Sequence, residues 1–110
     1  MREVARRYKF RGRHHVPGLP EPWCSVHEHT YTVEVVACGE GTMVLDTDRL
    51  DAAWRECRPG DDADLDAAYG PERTTVEALA AFYLAEMRIR CGQVCRVVVW
   101  EDDDRWGAAA

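Results

Sequence analysis

Four histidines, at positions 14, 15, 27 and 29, lie within sixteen residues of chain, and the pair His27-x-His29 opens a run rich in Thr, Tyr and Val that reads as a strand. Residues two apart on a strand point the same way and stand about 7 Å apart along it, so the two imidazoles can converge on one ion. His14 closes the inward-facing row of the preceding extended segment and can supply a third nitrogen. Three neutral imidazoles and one open position make a catalytic zinc site, in which the ion's double charge is left free to polarise a bound hydroxyl or carbonyl. The cluster is also open to a plainer reading, in which histidines gather by chance at a hairpin end.

Two long strands must hold these rings. From Val4 to His14 the even positions Val4, Tyr8, Phe10, Gly12 and His14 share one face of an extended chain, with Arg7, Lys9, Arg11 and Arg13 opposite. Three prolines and a glycine between Val16 and Pro22 impose a loop. The run from His27 to Cys38 ends at Gly39-Glu40-Gly41 and should pair with the first strand as a long hairpin. After Leu45-Asp46-Thr47-Asp48, the apolar positions Leu50, Ala53, Trp54 and Cys57 fall at helical spacing, and Arg58-Pro59-Gly60 stops the helix. Residues 61–73 are acidic and read as irregular. Thr74-Thr75-Val76-Glu77 has the form of a capping box ahead of a second helix through Val76, Leu79, Ala80, Tyr83 and Met87, which Cys91-Gly92 ends. Val94 to Glu101 is a β-branched strand whose odd face carries Cys95, Val97, Val99 and Glu101, and residues 102–110 read as a frayed tail. The order β-β-α-α-β predicts an α+β fold, an antiparallel sheet with two helices on one face.

Length and charge narrow what such a site could serve. A chain of 110 residues is read as one domain, 1–110, and a deep pocket on so small a body calls for a partner subunit or a metal. Fourteen basic against twenty acidic residues leave a net charge of −6, which disfavours a hold on a phosphate backbone and so excludes nucleic acid as an expected partner. No apolar stretch reaches the roughly 18 residues of a membrane span, so no membrane association is expected and the chain is read as soluble and cytoplasmic. The five cysteines, at 24, 38, 57, 91 and 95, are odd in number and contain no C-x-x-C pair. Neither a disulfide framework nor a zinc ribbon is suggested, and reduced thiols are expected.

In chain order, Phe10-x-x-x-His14, Cys24 shortly before His27-x-His29, Gly41-Thr42-Met43-Val44-Leu45-Asp46, Leu65-Asp66, Thr75-x-Glu77 and Val97-Val98-Val99-Trp100-Glu101 resemble the 6-pyruvoyltetrahydropterin synthase and 6-carboxytetrahydropterin synthase family. The resemblance implies the tunnelling fold (T-fold), whose β-β-α-α-β-β units join their sheets into a barrel by oligomerisation, here as a homohexamer of two trimers. It implies a zinc-dependent lyase acting on 7,8-dihydroneopterin triphosphate or a related pterin-like substrate. Carried over by residue, it implies zinc on His14, His27 and His29, Cys24 as proton acceptor, Glu101 on the amino-pyrimidine edge of the pterin, and Asp66 as the aspartate of a Leu-Asp-His motif. Zinc on the side-chain hydroxyls would acidify the neighbouring C–H, and a thiolate, its pKa of about 8.5 lowered by nearby positive charge, can remove that proton. A carboxylate can take two adjacent N–H donors at once. Thr75 matches the family's Pro-Thr-x-Glu and stands either as a hydrogen bond to the ring or as a plain helix cap. The four tryptophans read as core or interface residues, except that Trp23, beside Cys24, is open to contact with a flat substrate as well.

The departures are as informative. Where the family has a relay histidine after Leu-Asp, this chain reads Leu65-Asp66-Ala67-Ala68, and alanine accepts no proton. His15, the remaining histidine, is expected to point away from His14 on an extended strand. Cys24 lies only three residues before His27, Glu28 stands where the family commonly has glycine, and Asp102-Asp103-Asp104 replaces most of a last strand. Alternatives to the usual reaction therefore follow: zinc chemistry on a non-pterin substrate, or a catalytically silent homologue that binds a pterin- or purine-like ligand. Cys38, Cys57, Cys91 and Cys95 are expected to be small core or helix-end residues.

Overall fold

Alternating apolar and polar residues draw β1 (Arg2–His14) and β2 (His27–Gly39) into an antiparallel pair running from Arg2 opposite Gly39 to His14 opposite His27. This computed structural model describes residues 1–110, and the chain continues as α1 (Thr47–Cys57), β3 (Ala63–Asp64), α2 (Leu65–Tyr69), a 3₁₀ turn at Pro71–Arg73, α3 (Val76–Arg90), β4 (Val94–Glu101) and β5 (Arg105–Ala109). The five strands form one sheet in the order β3-β1-β2-β4-β5. All neighbours are antiparallel except β3, which runs parallel to β1, so the sheet is mixed rather than wholly antiparallel.

The long helices cover one face. Leu50, Ala53 and Trp54 of α1 and Val76, Leu79, Ala80, Tyr83, Leu84 and Met87 of α3 are buried against the sheet. The odd row of β2 (Tyr31, Val33, Val35), Phe10 and the pair Val97 and Val99 supply the other wall. Stacked rings at 5.0 Å join Tyr8 to Trp54 and Phe10 to Tyr31. Each such side chain contributes about 1.5–3 kcal/mol on burial, so this apolar layer can carry the fold without help from its polar end.

Several expectations are corrected here. Residues 61–73 are not irregular: Ala63 and Asp64 pair with Gly12 and Arg13, the Asp64 side chain accepts from the Ala67 N–H, and the short α2 follows. A third helix therefore joins the expected two. The approach is close because Gly12 has no side chain; a Cβ there would meet Leu65 Cδ1 at 3.0 Å and Tyr31 Cε2 at 3.2 Å. Residues 102–110 are not a frayed tail. β5 pairs along β4 from Glu101–Arg105 to Val97–Ala109, and Gly107 lies so close to α3 that a Cβ would fall 2.8 Å from the Glu77 nitrogen. The cap of α3 is Thr75, which accepts from the Ala78 N–H, one residue later than a box opened by Thr74 would place it.

The thiol expectation also changes. Cys38 and Cys95 form a disulfide across a Cα separation of 5.9 Å, leaving Cys24, Cys57 and Cys91 free. Its local cause is a register shift: Val36 pairs with Arg96 but Ala37 with Val94, so Cys95 drops out of the odd row of β4 and turns towards Cys38.

Candidate metal and ligand site

The inward rows of β1 and β2 turn from apolar to polar at their His14–His27 end. The rings of His14, His27 and His29 lie with centroids 4.6–5.2 Å apart, and one ligand atom of each falls within 4.8 Å of the others. His14 is 1% exposed and His29 5%. Each ring is held from behind. His14 Nδ1 lies 3.0 Å from the Thr74 carbonyl oxygen, His27 Nδ1 2.7 Å from that of Ser25, and His29 Nδ1 2.8 Å from Asp102 Oδ2. A carbonyl or carboxylate oxygen only accepts, so each Nδ1 carries the proton and each Nε2 presents a lone pair. The Nε2 atoms of buried His14 and His29 have no partner in the protein.

A buried nitrogen left without a partner costs about 1–3 kcal/mol, so two beside a third imidazole are readily explained by an ion that all three share. Burial and the neighbouring His27 push the His14 pKa down to about 4, which keeps this ring neutral and able to ligate at ordinary pH. The donor set thus fits a metal ion such as zinc, which His14, His27 and His29 could hold.

Glu101 ends β4 opposite Tyr31 and turns into the same space. Its carboxylate oxygens lie 3.9 Å from His14 Nε2 and 3.6 Å from His29 Nε2, and burial raises its pKa above the usual carboxylate range. A cavity of about 320 Å³ opens beside it, lined by Trp23, His27, Thr75, Glu101 and Arg105 among others. That volume admits one small heterocycle. Thr75 caps α3 and also lines this cavity. Trp23 lines the cavity 6.3 Å from the His29 ring, with the two planes 21° apart.

The remaining assignments divide. Asp66, in the first turn of α2, is brought to the end of β1 by the β3 pairing; its Oδ2 accepts from the His15 backbone N–H at 3.0 Å and lies 2.6 Å from His15 Nδ1, while its Oδ1 is buried without a partner. His15 does leave the His14 row, as the strand alternation requires, but it turns onto Asp66. Cys24 is not among the residues lining the cavity. A hydrogen bond with the Glu21 carboxylate, with some burial, raises its thiol pKa, the reverse of the lowering expected for a thiolate near positive charge.

Sequence reasoning missed Asp102. Its backbone takes φ of 53°, its N–H donates to the Thr30 carbonyl, and its carboxylate holds both His29 Nδ1 and the Thr30 N–H. In the sequence it opened an acidic run read as part of a frayed tail; its place directly after Glu101 was the available signal.

The fold and the site together define an α+β protein with a three-histidine cluster that could hold a metal ion at the end of its central hairpin. A family model described as 6-pyruvoyl tetrahydropterin synthase matches residues 3–109, and the chain belongs to that family. Solved structures agree on the fold at low identity. The Caenorhabditis elegans 6-pyruvoyl tetrahydropterin synthase is 18% identical, with a TM-score of 0.81 over 97% of this chain and 93% of that one. An uncharacterized Wolinella succinogenes protein is 15% identical, with a TM-score of 0.78 over 98% and 97%. Plasmodium vivax 6-pyruvoyltetrahydropterin synthase is 13% identical, with a TM-score of 0.66 over 99% and 98%. No curated protein matches the chain. No helix is long and apolar enough to cross a membrane.

Proposed function

We propose that the chain is a zinc-dependent lyase of the tetrahydropterin synthase type, acting on 7,8-dihydroneopterin triphosphate or a related pterin-like substrate, as a homohexamer of two trimers. The observation that carries this reading is the set of three imidazoles, each with its Nδ1 proton committed to an oxygen behind it and two with unpartnered Nε2 atoms facing the shared space. When bound there, zinc supplies a Lewis acid that polarises an oxygen of the substrate side chain.

The chain's own groups divide the remaining work. Glu101 accepts the adjacent N–H donors of the amino-pyrimidine edge, and its two oxygens suit that pair of contacts. Thr75 and Trp23 bound the ring, one with a hydroxyl at its edge and one with an aromatic plane. Cys24 is the assigned proton acceptor, and the neighbouring Glu21 carboxylate disfavours its thiolate form. Asp66 fixes His15 through two bonds to one carboxylate oxygen, and no group is assigned to the relay that Ala67 removes.

Zinc content and product formation from 7,8-dihydroneopterin triphosphate test the reading together. One zinc per chain with turnover supports it, and purified protein without stoichiometric metal overturns it. The raised Cys24 thiol and Ala67 favour a second reading, a silent homologue that binds a pterin- or purine-like ligand, for which the expected result is tight pterin binding with no product. A zinc-loaded protein with neither pterin binding nor turnover points to a repurposed zinc enzyme with a non-pterin substrate.

A further inference from the structure

Arg105 opens β5 immediately beyond the turn that carries Asp102, and it is the one Arg or Lys side chain lining the cavity beside the imidazoles. Its guanidinium carbon lies 4.4 Å from the centroid of the Trp23 ring. Stacking of this kind fixes the guanidinium plane and leaves the N–H groups at its edge free. Those groups are unspent: the Arg105 guanidinium makes no hydrogen bond or ion pair, whereas those of Arg6, Arg7, Arg11 and Arg90 each hold a carboxylate. Glu77 and Glu101 line the same cavity, so an anionic ligand entering without Arg105 would meet two acidic side chains and no fixed cation.

We infer that Arg105 is a specificity-determining residue that binds an oxyanion carried by the substrate, a phosphate group, while Glu101 takes the hydrogen-bond-donating edge of the ring. The inference rests on the pterin reading above for the rest of the ligand. A planar fork of donors matches two phosphate oxygens at once, and Trp23 holds that fork over the entrance rather than letting it fold into solvent. The arrangement would distinguish a phosphorylated substrate from the same ring system without phosphate.

The test compares the zinc-loaded wild type with Arg105→Gln and Arg105→Lys, with unchanged zinc content and circular dichroism as the folding control. Titrations with 7,8-dihydroneopterin and with its triphosphate should show the wild type preferring the phosphorylated compound by about tenfold or more, the range of a charge-assisted contact. Arg105→Gln should reduce that preference to within about twofold, and Arg105→Lys should keep part of it because the charge remains without the fork. Inorganic tripolyphosphate, titrated against zinc-free and zinc-loaded protein so that chelation is separated from binding, should lose about tenfold in affinity in Arg105→Gln in both forms. If Arg105→Gln keeps the wild-type preference, if tripolyphosphate binds both proteins equally or neither, or if acetate binds in preference to tripolyphosphate, the inference falls. If tripolyphosphate binding depends on Arg105 while neither pterin binds, the anion site stands and the pterin reading falls.

Discussion

One side of the sheet carries two kinds of interior. Along β2 and β4 the buried row runs Val35, Val33 and Tyr31 on one strand and Val97 and Val99 on the other, then ends in His29 and Glu101. Every buried polar or charged residue of the chain, His14, His29, Thr74 and Glu101, lies at that end, and so do the four buried side-chain polar atoms without a partner, on His14, His29, Tyr31 and Asp66. The apolar stretch lowers the free energy of the fold, whereas the polar end raises it and is tolerable only because the rest is well packed. Polar atoms left unpaired together, rather than scattered, mark the place where something else is meant to bind.

The largest effect should come from emptying the polar end. His29→Ala should reduce zinc from one per chain to a small fraction by atomic absorption. It should also abolish the stabilisation that zinc gives the wild type, about 4 kcal/mol when free zinc is a thousandfold above its Kd, read by urea unfolding with and without chelator. Retention of full zinc occupancy would show that the ligand set is wrong. In the apolar stretch the contrast reverses: Leu79→Ala, at a fully buried position of α3, should cost about 2–5 kcal/mol in urea unfolding and leave zinc stoichiometry at one per chain.

Gly107→Ala probes the seam between the two regions, because the added Cβ would meet the backbone at the start of α3. It should cost about 1–3 kcal/mol by the same measurement, and a neutral result would mean that β5 is not held against α3. Asp102→Ala removes the acceptor behind His29 and should weaken zinc binding by about 10- to 100-fold in a competition titration while the fold survives. An unchanged zinc affinity would reduce Asp102 to a turn residue. The smallest effect is expected on the outer face, where Arg11→Ala breaks its exposed ion pair with Glu28 and should change stability by less than about 1 kcal/mol.

Much of this was legible along the chain. Period-two alternation placed Phe10, Gly12 and His14 on the buried side of β1, and a helical period identified Leu50, Ala53 and Trp54 in α1, because both patterns depend on residues a few positions apart. The spacing His27-x-His29 likewise put two rings on one face of β2, and Glu101 closes the odd row of β4. What the local pattern could not show were the partners brought from a distance. Asp102 reaches His29 across 73 positions, His15 meets Asp66 across 51, and the disulfide joins Cys38 to Cys95 across 57.

By itself, then, the sequence determined which side chains face inward and which of them could ligate a metal, since strand and helix geometry turn spacing directly into direction. Only the tertiary structure decided what stands behind and beside them. The Asp102 turn, the close approaches permitted by Gly12 and Gly107, the Glu21 carboxylate on the Cys24 thiol and the free Arg105 guanidinium over Trp23 all arise from segments that meet only when the sheet closes on its helices. Hydrogen bonds and charge effects act over a few ångströms of space, and no local sequence period records which distant residues will share it.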